Sequence, residues 1–134
     1  MLAEDSELDL FLVEEALKHH HIPFVLHGCK DGVMALQYLK QVSSNQLPRP
    51  DLVLLDLHLP AVDGPEILTA LRQHPTCARV PVIVTTSSDA AKDRAIMTAL
   101  GISHYFQKPK DLAGFMDLGR IVLAVTKDER AQSE

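Results

Sequence analysis

A few side chains of complementary chemistry are scattered through this 134-residue sequence: the acidic pair Glu4-Asp5, Asp56 closing one apolar run, Thr85-Thr86 closing another, and Lys108 before Pro109. Three carboxylates gathered in one crevice repel each other and are tolerated chiefly around a cation or when protonated. A hard, oxygen-only donor set of this kind suits Mg²⁺, which keeps several waters and takes one or two carboxylates plus a phosphate. An aspartate at a strand end can attack phosphorus as a nucleophile and form an aspartyl-phosphate, the metal offsetting the entering charge. Lys108 supplies a compact cation for a phosphate oxygen, and a threonine hydroxyl a neutral donor. Strand alternation lets only one of Thr85 and Thr86 face the crevice. Each residue also has a plain structural use: Asp56 as a cap of the next turn, Glu4-Asp5 as a helix-cap pair, and Lys108 as a solvated turn residue.

For these residues to meet, the elements between them must be strands ending at one edge. Asp51 to Asp56 and Val80 to Thr86 are continuous apolar runs, the pattern of strands covered on both faces in a parallel sheet. Phe24 to Cys29 and His104 to Gln107 are shorter strand candidates. Helical periodicity runs from Ser6 to His20, with Leu8, Phe11, Leu12 and Ala16 on one face and Leu10, Val13 and Leu17 beside it. Ser6 suits its N-cap, and Glu7 and Asp9 favour the positive end of the helix dipole. A second helix follows Asp31-Gly32 with Val33, Leu36 and Leu39 inward. A third opens at Gly64-Pro65 with Ile67, Leu68 and Leu71 inward, a fourth spans Asp89 to Leu100, and the last spans Asp111 to Lys127. This alternation predicts an α/β fold, a doubly wound five-stranded parallel sheet with five helices in three layers, whose ligands bind beyond the carboxyl ends of the strands.

Composition narrows the partners. Thirteen Lys and Arg against 18 Asp and Glu argue against a sequence-independent grip on nucleic acid or on an anionic membrane surface. No apolar run approaches the ~20 residues that span a bilayer, and the acidic N-terminus lacks the cationic start of a signal peptide. Two cysteines are too few for a disulfide framework, so Cys29 and Cys77 read as small apolar side chains of a cytoplasmic protein. His19, His20 and His21 point about 100° apart on a helix, which suits a solvated helix end better than a chelate.

Taken in order, four pieces resemble the receiver domain of two-component response regulators. They are Glu4-Asp5 after a short strand, Leu54-Leu55-Asp56-Leu57-His58-Leu59-Pro60 with Asp63-Gly64 following, Val84-Thr85-Thr86-Ser87, and Tyr105-Phe106-Gln107-Lys108-Pro109. The resemblance covers essentially the whole chain and implies a flavodoxin-like fold, with a receiver domain over 1–127 and a polar tail over 128–134. It makes Asp56 the phosphoacceptor for a sensor histidine kinase. Glu4 and Asp5 would be the pair that organises Mg²⁺, with Asp5, Asp56 and the His58 backbone carbonyl as ligands. Thr86 and Lys108 would bind phosphoryl oxygens, and Tyr105 would be the switch aromatic that responds to Thr86. His58 and Ser88, two places after Asp56 and Thr86, stand where receivers tune loss of the phosphoryl group.

The longer loop before Arg49-Pro50-Asp51-Leu52, the Thr86-Ser87-Ser88 run, and Lys108-Pro109 followed by Asp111-Leu112 and Phe115 resemble the single-domain regulators associated with bacterial phytochromes. Such a protein is a switch rather than an enzyme, signalling to a downstream protein target or phosphotransfer protein. A phosphorylation-independent adaptor of the same fold is the alternative. An aspartate-nucleophile phosphatase would need a second Asp where His58 stands, and a flavin protein would need a glycine- and hydroxyl-rich loop where Asp5-Ser6-Glu7-Leu8 stands. Only Met1-Leu2-Ala3 precede the acidic pair, fewer than the usual ~5–6 residues of a strand, so Met1 is expected inside the strand of a chain that starts earlier. The last helix carries two apolar lines, Leu112, Met116 and Leu123, and Phe115, Leu118, Val122 and Val125. A homodimer through the last strand and last helix would use one line, and burial on both sides would use both.

Overall fold

The apolar runs that end in Asp56 and Thr86 lie side by side as the central strands of one parallel sheet. The computed structural model describes residues 1–87 and 91–133, with side chains for 1–87 and 94–127. The elements in chain order are β1 (Leu2–Ala3), α1 (Glu7–His19), β2 (Gly28–Cys29), α2 (Gly32–Ser43), β3 (Val53–Asp56), α3 (Gly64–Gln73), β4 (Val82–Thr86), α4 (Ala91–Ala99), β5 (His104–Gln107), α5 (Leu112–Met116) and α6 (Leu118–Ser133). The strand order is β2-β1-β3-β4-β5 with every pair parallel, the doubly wound parallel sheet that the alternation of elements predicts in the flavodoxin-like order that the resemblance to receiver domains implies.

Side-chain alternation along the strands builds a separate core on each face. Val53, Leu55, Val82 and Val84 pack with Ala35, Leu39, Ile67, Leu68, Leu71 and Met97, which fixes α2, α3 and α4 to one side. Leu2, Leu54, Ile83 and Phe106 pack with Val13, Leu17, Phe115, Leu118 and Val122, which fixes α1, α5 and α6 to the other. The inward faces of α3 and of the Phe115, Leu118 and Val122 line follow their sequence periodicity. Those of α1 and α2 are rotated from the expectation. Leu8 and Phe11 are exposed while Val13, Ala16 and Leu17 are buried, and Val33 is exposed while Ala35, Tyr38, Leu39 and Val42 are buried. Both helices carry apolar residues on more than one face, so the pattern alone does not say which one the sheet takes.

Three predicted elements differ in extent. The strand expected over 24–29 is Gly28–Cys29 in the structure, an edge strand paired with β1 in the register Leu2↔Gly28 and Ala3↔Cys29. The β1 ladder itself reaches Met1: the terminal ammonium donates to the Leu52 carbonyl at 2.9 Å, and Leu54 N–H donates to the Met1 carbonyl. The last helix is divided at Asp117, where the His20 ring donates from Nε2 to the Met116 carbonyl at 3.0 Å and Gly119 lies against that ring. In an unbroken helix that carbonyl would accept from residue 120. His20 therefore belongs to the seam between α1 and α6 instead of a solvated end, while His19 and His21 are exposed. Beyond it α6 stays helical through Ser133, across the expected tail. Cys29 and Cys77 are free and buried.

Candidate functional site

The strand order reverses at β1, which has β2 on one side and β3 on the other, and the carboxyl edge beside such a switch point is where a crevice forms. The register Ala3↔Leu55 sets Glu4 and Asp5 beside Asp56, and Lys108 follows β5 directly, its N–H donating to the Thr86 carbonyl at 2.7 Å. One ligand oxygen from each of Glu4, Asp5 and Asp56 lies within 4.8 Å of the others. Glu4 and Asp56 are buried and Asp5 is exposed, so the cluster opens to solvent on the Asp5 side. This acidic group is the place among the described residues where a divalent cation fits.

The loop after β3 holds Asp56 at its edge. Asp56 Oδ1 accepts the His58 N–H at 2.9 Å, so this acid does cap the turn that follows it, and Oδ2 is left for Lys108 at 3.1 Å. Leu57 and Leu59 anchor the loop by burial, and Ala61 turns it with φ +70°. Gly64 N–H donates to the Leu57 carbonyl at 3.0 Å, and a Cβ at Gly64 would stand 2.8 Å from that carbonyl oxygen. At the other rim, Glu4 Oε1 accepts the Ser6 N–H at 3.1 Å, and the Ser6 hydroxyl caps α1 by accepting from Asp9 N–H. Ser6, and not the acidic pair, is thus the helix cap.

Lys108 is the cation of the site. Its Nζ lies 2.8 Å from Glu4 Oε2, 2.7 Å from Asp9 Oδ2 and 3.1 Å from Asp56 Oδ2, with the lysine side chain only 11% exposed. Burial opposes its charge, but the hydrogen bonds it donates to Asp9 and Glu4 and the field of Asp56 outweigh that and raise its pKa. Burial pushes Glu4 up to about 7, against the lowering pull of Lys108 and the Ser6 N–H. Three carboxylates, those of Glu4, Asp9 and Asp56, hold one ammonium, Asp5 lies beside Glu4 and Asp56, and the remaining negative charge favours a divalent cation.

Asp9 is the member that sequence reasoning missed, having given it only to the helix dipole. The signal was there: Asp9 is the third residue after the Ser6 cap, one turn on from Asp5, and helical side chains lean toward the N-terminus.

Thr85 stands level with Asp56 in the ladder, and Thr86 ends β4 one residue further on. Both are buried. By alternation Thr86 shares the face of Val84, where Tyr105 also packs, with the Arg94 guanidinium 4.7 Å from the Tyr105 ring centroid. Ser88 lies outside the described residues.

A carboxylate at the end of a central parallel strand, an acidic pair beside it and a lysine closing the group form a crevice at the carboxyl edge of a flavodoxin-like sheet. The response regulator receiver domain family matches residues 1–118, and the chain belongs to that family. It is 39% identical to response regulator Rcp1 of Synechocystis sp. over 113 residues, covering 84% of this chain and 77% of that protein. The Mn²⁺-bound structure of Rcp1 superposes with a TM-score of 0.80 at 36% identity, covering 90% of this chain and 88% of that one. The phosphorylated cyanobacterial phytochrome response regulator RcpA superposes with a TM-score of 0.81 at 34% identity, covering 90% and 87%. The chain is therefore a response-regulator receiver, a phosphoacceptor switch by class.

Proposed function

We propose that Asp56 accepts a phosphoryl group from the phosphohistidine of a sensor histidine kinase and that the change is read by protein contact. The observation that carries the reading is the Asp56 carboxylate itself, with Oδ1 fixed by the His58 N–H and Oδ2 facing Lys108 beside Glu4 and Asp5. In the step, a carboxylate oxygen of Asp56 bonds to phosphorus, the P–N bond breaks, and the imidazole leaves with the bonding electrons.

Asp5, Asp56 and the His58 carbonyl would hold Mg²⁺, with Glu4 organising its waters. Bound there, the ion supplies neutralisation of the phosphoryl oxygens. The Mn²⁺ in the Rcp1 structure and the donor set of this chain support a divalent ion. Lys108 donates to one phosphoryl oxygen and the Thr86 hydroxyl to another. Thr86 and Tyr105 share a sheet face, so a shift of Thr86 toward the phosphoryl group opens the space that the Tyr105 ring can enter, and Arg94 over that ring moves with it. His58 and Ser88 tune loss of the group.

The partner is a phytochrome-type histidine kinase in the cytoplasm, a reading supported by likeness to RcpA. The output is a downstream protein target or a phosphotransfer protein. The exposed line of Leu112 and Leu123 is the surface for a homodimer through the last strand and last helix, and a monomer by light scattering with and without a phosphoryl analogue removes that part. The core reading is tested by intact mass after incubation with acetyl phosphate and Mg²⁺. One phosphoryl mass on the wild type and none on Asp56→Asn is expected. No addition to the wild type, or equal addition to the variant, rejects it and leaves a phosphorylation-independent adaptor.

A further inference from the structure

A lysine ammonium has three N–H donors, and in Lys108 each has a carboxylate within reach: Asp9 Oδ2 at 2.7 Å, Glu4 Oε2 at 2.8 Å and Asp56 Oδ2 at 3.1 Å. A phosphoryl oxygen on Asp56 gains a donor from Lys108 only when one of these contacts gives way. Their readiness to do so differs. The Asp56 carboxylate gives up its own charge when the acyl phosphate forms, the charge then lying on the phosphoryl oxygens, so its direct hold on Lys108 weakens at that moment. Glu4 is buried at the end of β1 with its second oxygen on the Ser6 N–H. Asp9 does not take the phosphoryl group, and it has the shortest contact. It also sits on α1, which the burial of Val13, Ala16 and Leu17 fixes against the sheet. The carboxylate cannot follow Lys108 toward a new partner by a backbone movement.

Resting on the phosphoacceptor reading of Asp56, we propose that Asp9 is a positioning residue: it is the resting counter-ion of Lys108, and its hold sets how readily that ammonium reaches the phosphoryl group. Asp9 touches Lys108 and not the reacting atoms. Its removal lets the ammonium move across, so the phosphorylated arrangement forms more easily. A partly exposed, charge-assisted contact of this kind corresponds to about a threefold to tenfold change in an equilibrium constant.

The test uses beryllofluoride, a stand-in for the phosphoryl group on an aspartate, titrated at saturating Mg²⁺ and followed by fluorine NMR. The proteins compared are the wild type, Asp9→Asn, Asp9→Glu and Glu7→Gln, each shown to be folded by thermal unfolding. Glu7 is an exposed acid in the same first turn, so its removal takes away the same charge without touching Lys108. Binding that tightens about threefold to tenfold in Asp9→Asn, stays near wild type in Asp9→Glu and is unmoved in Glu7→Gln is expected. Unchanged or weaker binding in Asp9→Asn, or equal tightening in Glu7→Gln, overturns the role of Asp9 and leaves the phosphoacceptor site standing. A wild type that binds no beryllofluoride overturns the site reading itself, and the role of Asp9 with it.

Discussion

Replacing Lys108 with methionine keeps the length of the side chain and removes the one ammonium that three carboxylates hold. The cost follows from the burial of its partners. Glu4 is 1% exposed and the Asp56 side chain 9%, so both contacts are buried; removing the partner of Asp56 costs about 3–5 kcal/mol because a charge is left unpaired, while Glu4, already raised to about 7, takes a proton instead and costs less. The Asp9 side chain is 22% exposed, and its contact counts nearer the ~1 kcal/mol of a surface pair. Against these stands the relief of burying Lys108, which opposes its charge. A net loss of about 3 kcal/mol near pH 8 results, or about 10 °C in Tm for a domain of this size. The loss shrinks near pH 5.5, because Glu4, raised to about 7, becomes neutral there and no longer needs the cation. Saturating Mg²⁺ returns most of it by taking the vacated role. Thermal unfolding by circular dichroism at both pH values, with and without Mg²⁺, measures this. A Tm change below about 2 °C near pH 8, or one equally large near pH 5.5, would refute the charge account of the site.

Three further outcomes follow from the same geometry. The pKa of Glu4 is raised above its ordinary 4.5 to about 7, so the folded state holds a proton that the unfolded state has released. Stability from this group is full below pH 4.5 and is lost as pH rises through 7. Without Mg²⁺ the denaturation midpoint is expected to fall over that window, and Glu4→Gln to flatten that part of the slope. Gly64→Ala forces a Cβ to 2.8 Å from the Leu57 carbonyl oxygen, so a loss of about 2 kcal/mol in urea unfolding and a slower gain of phosphoryl mass are expected. Mg²⁺ at about 100 times its Kd is expected to raise stability by about 2.7 kcal/mol, an effect that chelation reverses and that shrinks in Asp5→Asn. Equal stabilisation of that variant would remove Asp5 from the metal site.

The parallel sheet was legible in the buried apolar runs that end at Asp56 and Thr86, whereas the meeting of Glu4, Asp5, Asp56 and Lys108 depends on strand order and was legible only through the resemblance to receiver domains. What escaped depends on contacts that no local pattern encodes. Asp9 looked like a dipole residue until the lean of its side chain brought it to Lys108, 99 residues away. The break at Asp117 comes from His20, which lies far back in the chain and takes the Met116 carbonyl. The strand over 24–29 had the composition of β structure, but only Gly28 and Cys29 pair with β1. Alternation alone does not choose between Thr85 and Thr86: Thr85 is level with Asp56, and Thr86 gains its case from ending β4 on the face of Tyr105.

The central claim is chemical and local: the group is carried by one carboxylate. The most direct measurement treats the Mg²⁺- and acetyl-phosphate-loaded protein with borohydride, which reduces an acyl phosphate to an alcohol, and maps the altered residue by peptide mass spectrometry. Conversion at Asp56, lost on chelation of Mg²⁺, is the predicted result. Conversion at Glu4, Asp5 or Asp9 in its place, or a phosphoryl group found on His58, would contradict the account.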